Sequence, residues 1–109
     1  MKKTDKKTEQ TIVRALTEVC HWAQDQCSGF DWLTHQVDFK HFPASLKVTC
    51  VFHTCQQQQQ LDSGPLKTQI IKTLGDDGIA LKPGQIHLDN EQDCAAEHQG
   101  DWARRLSRH

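Results

Sequence analysis

The chain has 109 residues, a formal net charge of −1 and an apolar fraction of 36%, the last lowered by thirteen glutamines. That length sets one domain with a single core, able to bury roughly two-thirds of its unfolded surface. Four lysines against one aspartate give residues 1–7 a charge of +3, residues 101–109 carry +2, and residues 8–100 carry −6. An acidic body with basic ends excludes a domain whose whole face grips nucleic acid and leaves only weak phosphate contacts by the ends.

Residues 1–7 read as a disordered basic tail. From Thr8 to Cys27 the residues Ile12, Leu16, Val19, Cys20, Ala23 and Cys27 recur at three- and four-residue spacing, one face of an amphipathic helix that stops at Gly29. The stretch Phe30–Thr54 then reads as two strands and a short loop containing Pro43, which cannot donate to a ladder. Alternation puts Leu33, His35, Val37 and Phe39 on one face with Leu46, Val48, Cys50 and Phe52. Burying both apolar rows together forbids a one-residue slip. The favoured register sets Leu33 opposite Phe52, His35 opposite Cys50, Val37 opposite Val48 and Asp38 opposite Lys47. A two-residue slip preserves the same faces.

The run Gln56–Gln60 reads as a solvated loop or the ragged start of the next helix. Ser63-Gly64-Pro65 starts a second amphipathic helix carrying Leu66, Ile70, Ile71 and Leu74, ended by Gly75 or Gly78. Ile86-His87-Leu88 is a third short strand, and Ile79-Ala80-Leu81 a further candidate. Asn90 caps a third helix that stops at Gly100, and Asp101 caps a last turn with Trp102 and Leu106. The order helix, strand, strand, helix, strand, helix predicts an α+β two-layer sandwich on a small, mostly antiparallel sheet. A helical crossover between the second and third strands would place the third beside the first, leaving the first central.

The runs Trp32-Leu33-Thr34-His35, Val37-Asp38-Phe39, Phe42-Pro43, Ser45-Leu46 and Cys50-Val51-Phe52 resemble a small family of uncharacterised proteobacterial proteins. Glu97-His98-Gln99-Gly100-Asp101-Trp102 with Arg105-Leu106 fits the same family. Its members are often labelled Fis family transcriptional regulator, which implies a helix-turn-helix DNA-binding protein made only of helices. Two strands in mid-chain depart from that implication. The resemblance brings no established activity, cofactor or catalytic residue.

Five cysteines without a CxxC, no apolar segment behind the charged start and no run of membrane-spanning length point to a reducing cytosol and no membrane partner. Cys50, His53 and Cys55 have zinc-like spacing, but strand parity sends Cys50 away from the other two. Cys20 and Cys27, two helical turns apart, read as core. His35 beside Cys50 would make an activated thiol only if both were accessible. Cys94 and His98 have the spacing of a helical metal pair, with His87 or Asp89 as a third ligand. Asp31, Asp38, Asp89 and Glu91 are scattered carboxylates. No metal or cofactor is expected.

The open face of the strand pair is the better candidate for binding: Trp32, Thr34, Gln36, Thr49, Val51 and His53 form a polar and aromatic patch if no layer covers it. The expected function is a non-enzymatic cytosolic interaction or regulatory module, with a homodimer or protein contact centred on Trp32 and His53. The alternatives are a small metal-dependent or thiol enzyme built on His35, Cys50, Cys94 and His98, and a weak nucleic-acid binder using the basic ends.

Overall fold

The fold is that of a computed structural model describing residues 3–107. Helix α1 (Lys3–Gln26) leads into strands β1 (Phe30–Gln36) and β2 (Lys47–Phe52). Helices α2 (Cys55–Gln60) and α3 (Gly64–Asp76) carry the chain to β3 (Ile86–Asn90), followed by α4 (Glu91–His98) and α5 (Trp102–Leu106). The class is α+β, with the expected order of main elements.

Helix α1 buries Ile12, Ala15, Leu16, Val19 and Ala23 against the sheet. It starts earlier than its apolar stripe. Residues 3–7, expected as a tail, are helical, while Met1 and Lys2 lie outside the described residues. Lysine is a good helix former, and the Thr8 and Thr11 hydroxyls bond back to the carbonyls of Thr4 and Lys7. Gly29 turns the chain into β1 at φ +82°, where a Cβ would strike the Gln57 side chain.

The sheet order is β1-β2-β3, with β1 antiparallel and β3 parallel to β2. The third strand therefore lies beside the second, not the first, and β2 is central. The residues of β2 explain this: Val48, Cys50 and Phe52 are buried on one face, and Thr49 and Val51 on the other. A strand buried on both faces belongs in the middle of a sheet.

The observed register pairs Leu33 with Cys50, Thr34 with Thr49, His35 with Val48 and Gln36 with Lys47. This is the two-residue slip that keeps every side chain on its expected face. Two local features set it. A bulge between Phe30 and Trp32 turns Phe30 into the core, where its ring meets Phe52 edge-on at 5.8 Å. At the other end the ladder stops at Gln36, because Asp38 is used in a turn. Its carboxylate accepts from the Lys40 amide, and its backbone exchanges two hydrogen bonds with the Ser45 hydroxyl. Val37 and Phe39 leave the strand but still pack on the core. The expected Asp38–Lys47 pair gives way to Gln36 and Lys47.

Helices α1 and α3 cover one face of the sheet around Leu46, Val48, Cys50, Phe52, Leu66, Ile70 and Leu74. Ile79 and Leu81 join this core from irregular chain rather than from a strand. Gln56–Gln60, expected in a loop or at a ragged helix start, form most of α2, capped by the Thr54 hydroxyl. Truncating Leu16, Val48 or Ile70 to Ala should each cost about 2–4 kcal/mol in urea denaturation. Three variants with unchanged midpoints would mean that the buried faces are misassigned.

Candidate functional site

The face expected to be open is covered. Thr49 is 5% exposed and Val51 is fully buried, because α4 and α5 lie over this side of the sheet. The cover is held by a short set of polar contacts. The Glu91 carboxylate, just past β3, accepts from the Trp32 indole at 2.6 Å and from the Trp102 indole at 3.1 Å. The two rings meet edge-on, centroids 5.0 Å apart. One turn on, Arg105 donates two parallel bonds to Asp89 at 2.6 and 2.8 Å and a third to Glu97 at 2.9 Å. The Arg105 and Asp89 side chains are 12% and 11% exposed, so this bidentate pair is largely withdrawn from water. The Asp89 hydrogen bond, more than any other contact, holds the guanidinium firmly in its charged form.

The candidate binding residues are thus separated. Trp32 belongs to the clamp under α5. Gln36 reaches the Leu106 carbonyl at 3.5 Å, and Thr49 lies beneath the cover. His53 is on the surface beside Asp31 at 3.4 Å. Thr34, half-buried, pairs with Thr49 and borders the groove between α1 and β1. A contact centred on Trp32 and His53 loses its basis, since the Trp32 ring already meets Trp102. Sequence reasoning gave Arg105 no role and read Glu91 only as one of several scattered carboxylates. The signal was present in the one-turn spacing of Trp102 and Arg105 on a helix capped by Asp101, the pattern of a helix with one engaged face.

The reactive side chains are also engaged or enclosed. His35 pairs with Val48, not Cys50, and its imidazole meets Glu9 of α1 at 2.6 Å. Burial pushes the Cys50 thiol up to about 12 and raises those of Cys20, Cys27 and Cys94, which disfavours the nucleophilic thiolate. Cys50 and His53 occupy opposite sides, as parity requires, while the Cys55 sulfur accepts from Gln59 at the start of α2. Where Cys94 and His98 have the spacing of a metal pair, Arg105 stands instead. A guanidinium cannot accept, so its contact to His98 Nδ1 at 3.2 Å makes that nitrogen the acceptor, and Asp89 is taken by the same arginine. Among the described residues no group of three or more His, Cys, Asp or Glu is placed to hold a metal ion.

One concave surface remains beside β1. A groove of about 230 Å³ runs between α1 and β1, lined by Val13, Leu16, Thr17, Cys20, His21, Leu33, Thr34 and His35. Val13 stands on its rim with 49% of its surface exposed, the one exposed large apolar side chain among the described residues. Side chains of α1 bridge to β1 on either side of it. Gln24 donates to the Asp31 carbonyl at 3.3 Å, and Glu9 holds His35.

No family model, curated protein or solved structure gives a significant match to the chain. No helix among the described residues is long and apolar enough to cross a membrane.

Two outcomes follow from these contacts. Arg105→Met strands a carboxylate under the cover and should cost about 3–5 kcal/mol in urea denaturation. Arg104→Met, on the exposed side of the same helix, should change stability by less than about 0.5 kcal/mol. Equal losses would mean that the Asp89 pair does not hold α5. In a timed reaction of the native protein with an aromatic disulfide at pH 8, the partly exposed Cys55 should react first. Cys50 should react only on unfolding, and a fast Cys50 would restore a thiol-based chemistry.

Proposed function

We propose that the protein is a non-enzymatic interaction module that pairs with a second copy of itself through the groove between α1 and β1. The observation that carries this reading is Val13, an apolar knob on the rim of a groove walled by Leu16, Cys20 and Leu33. A twofold axis beside the groove would set each Val13 into the other copy's groove, since a knob and a hole on one face are self-complementary. The groove floor is apolar and its walls carry Thr17 and Thr34, a composition suited to a small protein contact. An enzymatic reading lacks comparable support: its thiols Cys50 and Cys94 are buried and its histidine His35 is bound to Glu9.

Sedimentation equilibrium of the parent and of Val13→Glu tests this. The parent should show a concentration-dependent monomer–dimer equilibrium, and the variant should stay monomeric with an unchanged melting temperature, because its side chain lies outside the core. A parent that remains monomeric at the highest accessible concentration excludes self-association. A variant that dimerises as the parent does would move the contact away from this groove.

A further inference from the structure

The chain's two basic ends, distant in sequence, meet at one end of the fold. Helix α1 runs along β1 from Glu9, bonded to His35, to Gln24, bonded to the Asp31 carbonyl. Its N-terminus therefore lies at the end of the sheet where β1 finishes. Helix α5 runs from Trp102, packed on Trp32, to Leu106, whose carbonyl meets Gln36. Its C-terminus reaches the same end from the other face. Lys47 is the ladder partner of Gln36 there, and Lys40 sits in the turn that follows β1.

We infer that Lys3, Lys6 and Lys7 of α1, Lys40, Lys47 and Arg104 of α5 form one basic pole that docks on the phosphodiester backbone of a nucleic-acid duplex without reading its sequence. Lys3, Lys6, Lys7, Lys40 and Arg104 are exposed. Among the described residues no ion pair neutralises the three lysines of α1; of the carboxylates near them, Glu9 and Asp38 face His35 and His41, and Asp5 lies between Lys3 and Lys6 on the helix. Lys3 and Lys7 share a face with Gln10 and Arg14, opposite the buried Ile12 and Leu16. The helix carries this stripe about 9 Å beyond Glu9, at 1.5 Å per residue.

The chemistry of the stripe selects the partner. Residues 3–11 contain no apolar side chain, so this segment has nothing to insert into a bilayer, as an interfacial helix must. The cations are spread over two helices, a turn and a strand end, which suits an extended polyanion better than a single phosphate. At the far end of the sheet Asp25, Asp31, Asp62 and Glu91 make the opposite pole acidic, so a duplex can engage one end only. None of the named cations lines the groove between α1 and β1.

The test is titration of the full chain into a fluorescent 20-base-pair DNA duplex of arbitrary sequence, and into RNA of the same length, from 25 to 200 mM salt. Binding to either duplex should weaken steeply with salt and be equal for a scrambled sequence. The variant Lys3→Gln/Lys6→Gln/Lys7→Gln should lower the slope of log affinity against log salt by about 2–3, and Arg104→Gln by about 1, at roughly 0.9 per phosphate. Loss from the α1 lysines with none from Arg104 would overturn a shared pole. Equal binding of poly-aspartate would point to an acidic protein partner, and binding of phosphatidylserine vesicles in preference to duplex would point to a membrane. Either result overturns the proposal, as does sequence-selective binding that persists at 200 mM salt. The Val13→Glu protein should bind duplex through an unchanged pole, which separates this result from the fate of the dimer.

Discussion

Strand β2 has no face that tolerates water. Val48, Cys50 and Phe52 point to one side and Thr49 and Val51 to the other, all of them buried. Such a strand needs a neighbour along each edge and a layer over each face. The neighbours are β1 and β3, and the first layer is α1 with α3. The second layer does not come from another long amphipathic helix, since none follows β3 among the described residues. It comes from two short helices, eight and five residues long, whose own propensity is insufficient to hold them. This is why the cover depends on named side chains rather than on a broad apolar face.

Those side chains combine two kinds of interaction. The Trp32–Trp102 contact supplies buried aromatic area, and Glu91 satisfies both indole donors that this burial would otherwise leave without water. Arg105 with Asp89 is a different case. Taking a guanidinium and a carboxylate out of water is costly, and their attraction offsets that cost only with good geometry and further partners. Both conditions are met here: the pair is bidentate, and Glu97 and the Asp93 carbonyl take further donors. Its role is best described as fixing where α5 lies. An apolar pair would allow sliding that a forked ion pair does not.

Much of the architecture was legible because it rests on periodicity. The helical stripe through Ile12, Leu16, Val19 and Ala23, the alternating rows of the two strands and the caps at Asn90 and Asp101 are local patterns. The strand faces were readable for the same reason. The register was not, because a two-residue slip leaves the pattern unchanged, and the choice fell to the bulge near Asp31 and the turn at Asp38. Strand order was missed because the second row of β2, Lys47, Thr49, Val51 and His53, is mixed in the sequence, and its middle is buried only beneath elements that come after β3. The candidate site suffered most. Trp32 and Thr49 are chemically suited to an exposed binding face, and nothing within the strands says that residues fifty positions later will cover them. Only the long-range pairs of Glu91 and Arg105 decide that.

The glutamines that lower the apolar fraction prove to be fasteners. Gln58 donates to the Leu88 carbonyl at 3.1 Å along the outer edge of β3 and accepts from Asn90. Gln24 meets the Asp31 carbonyl beside β1, and Gln85 gathers the carbonyls of Pro43 and Leu46 at the mouth of β2. An exposed strand edge invites another chain, and here a neutral amide occupies one carbonyl on each edge strand, Asp31 of β1 and Leu88 of β3. These fasteners carry no charge, so changes of ionic strength leave them in place. Their weakness is chemical instead. Hydrolysis of the Gln58 amide would leave a carboxylate, an acceptor facing the acceptor Leu88 carbonyl, and turn a closed edge into a repelled and open one. Slow ageing of a single side chain could thus do to this sheet what salt cannot.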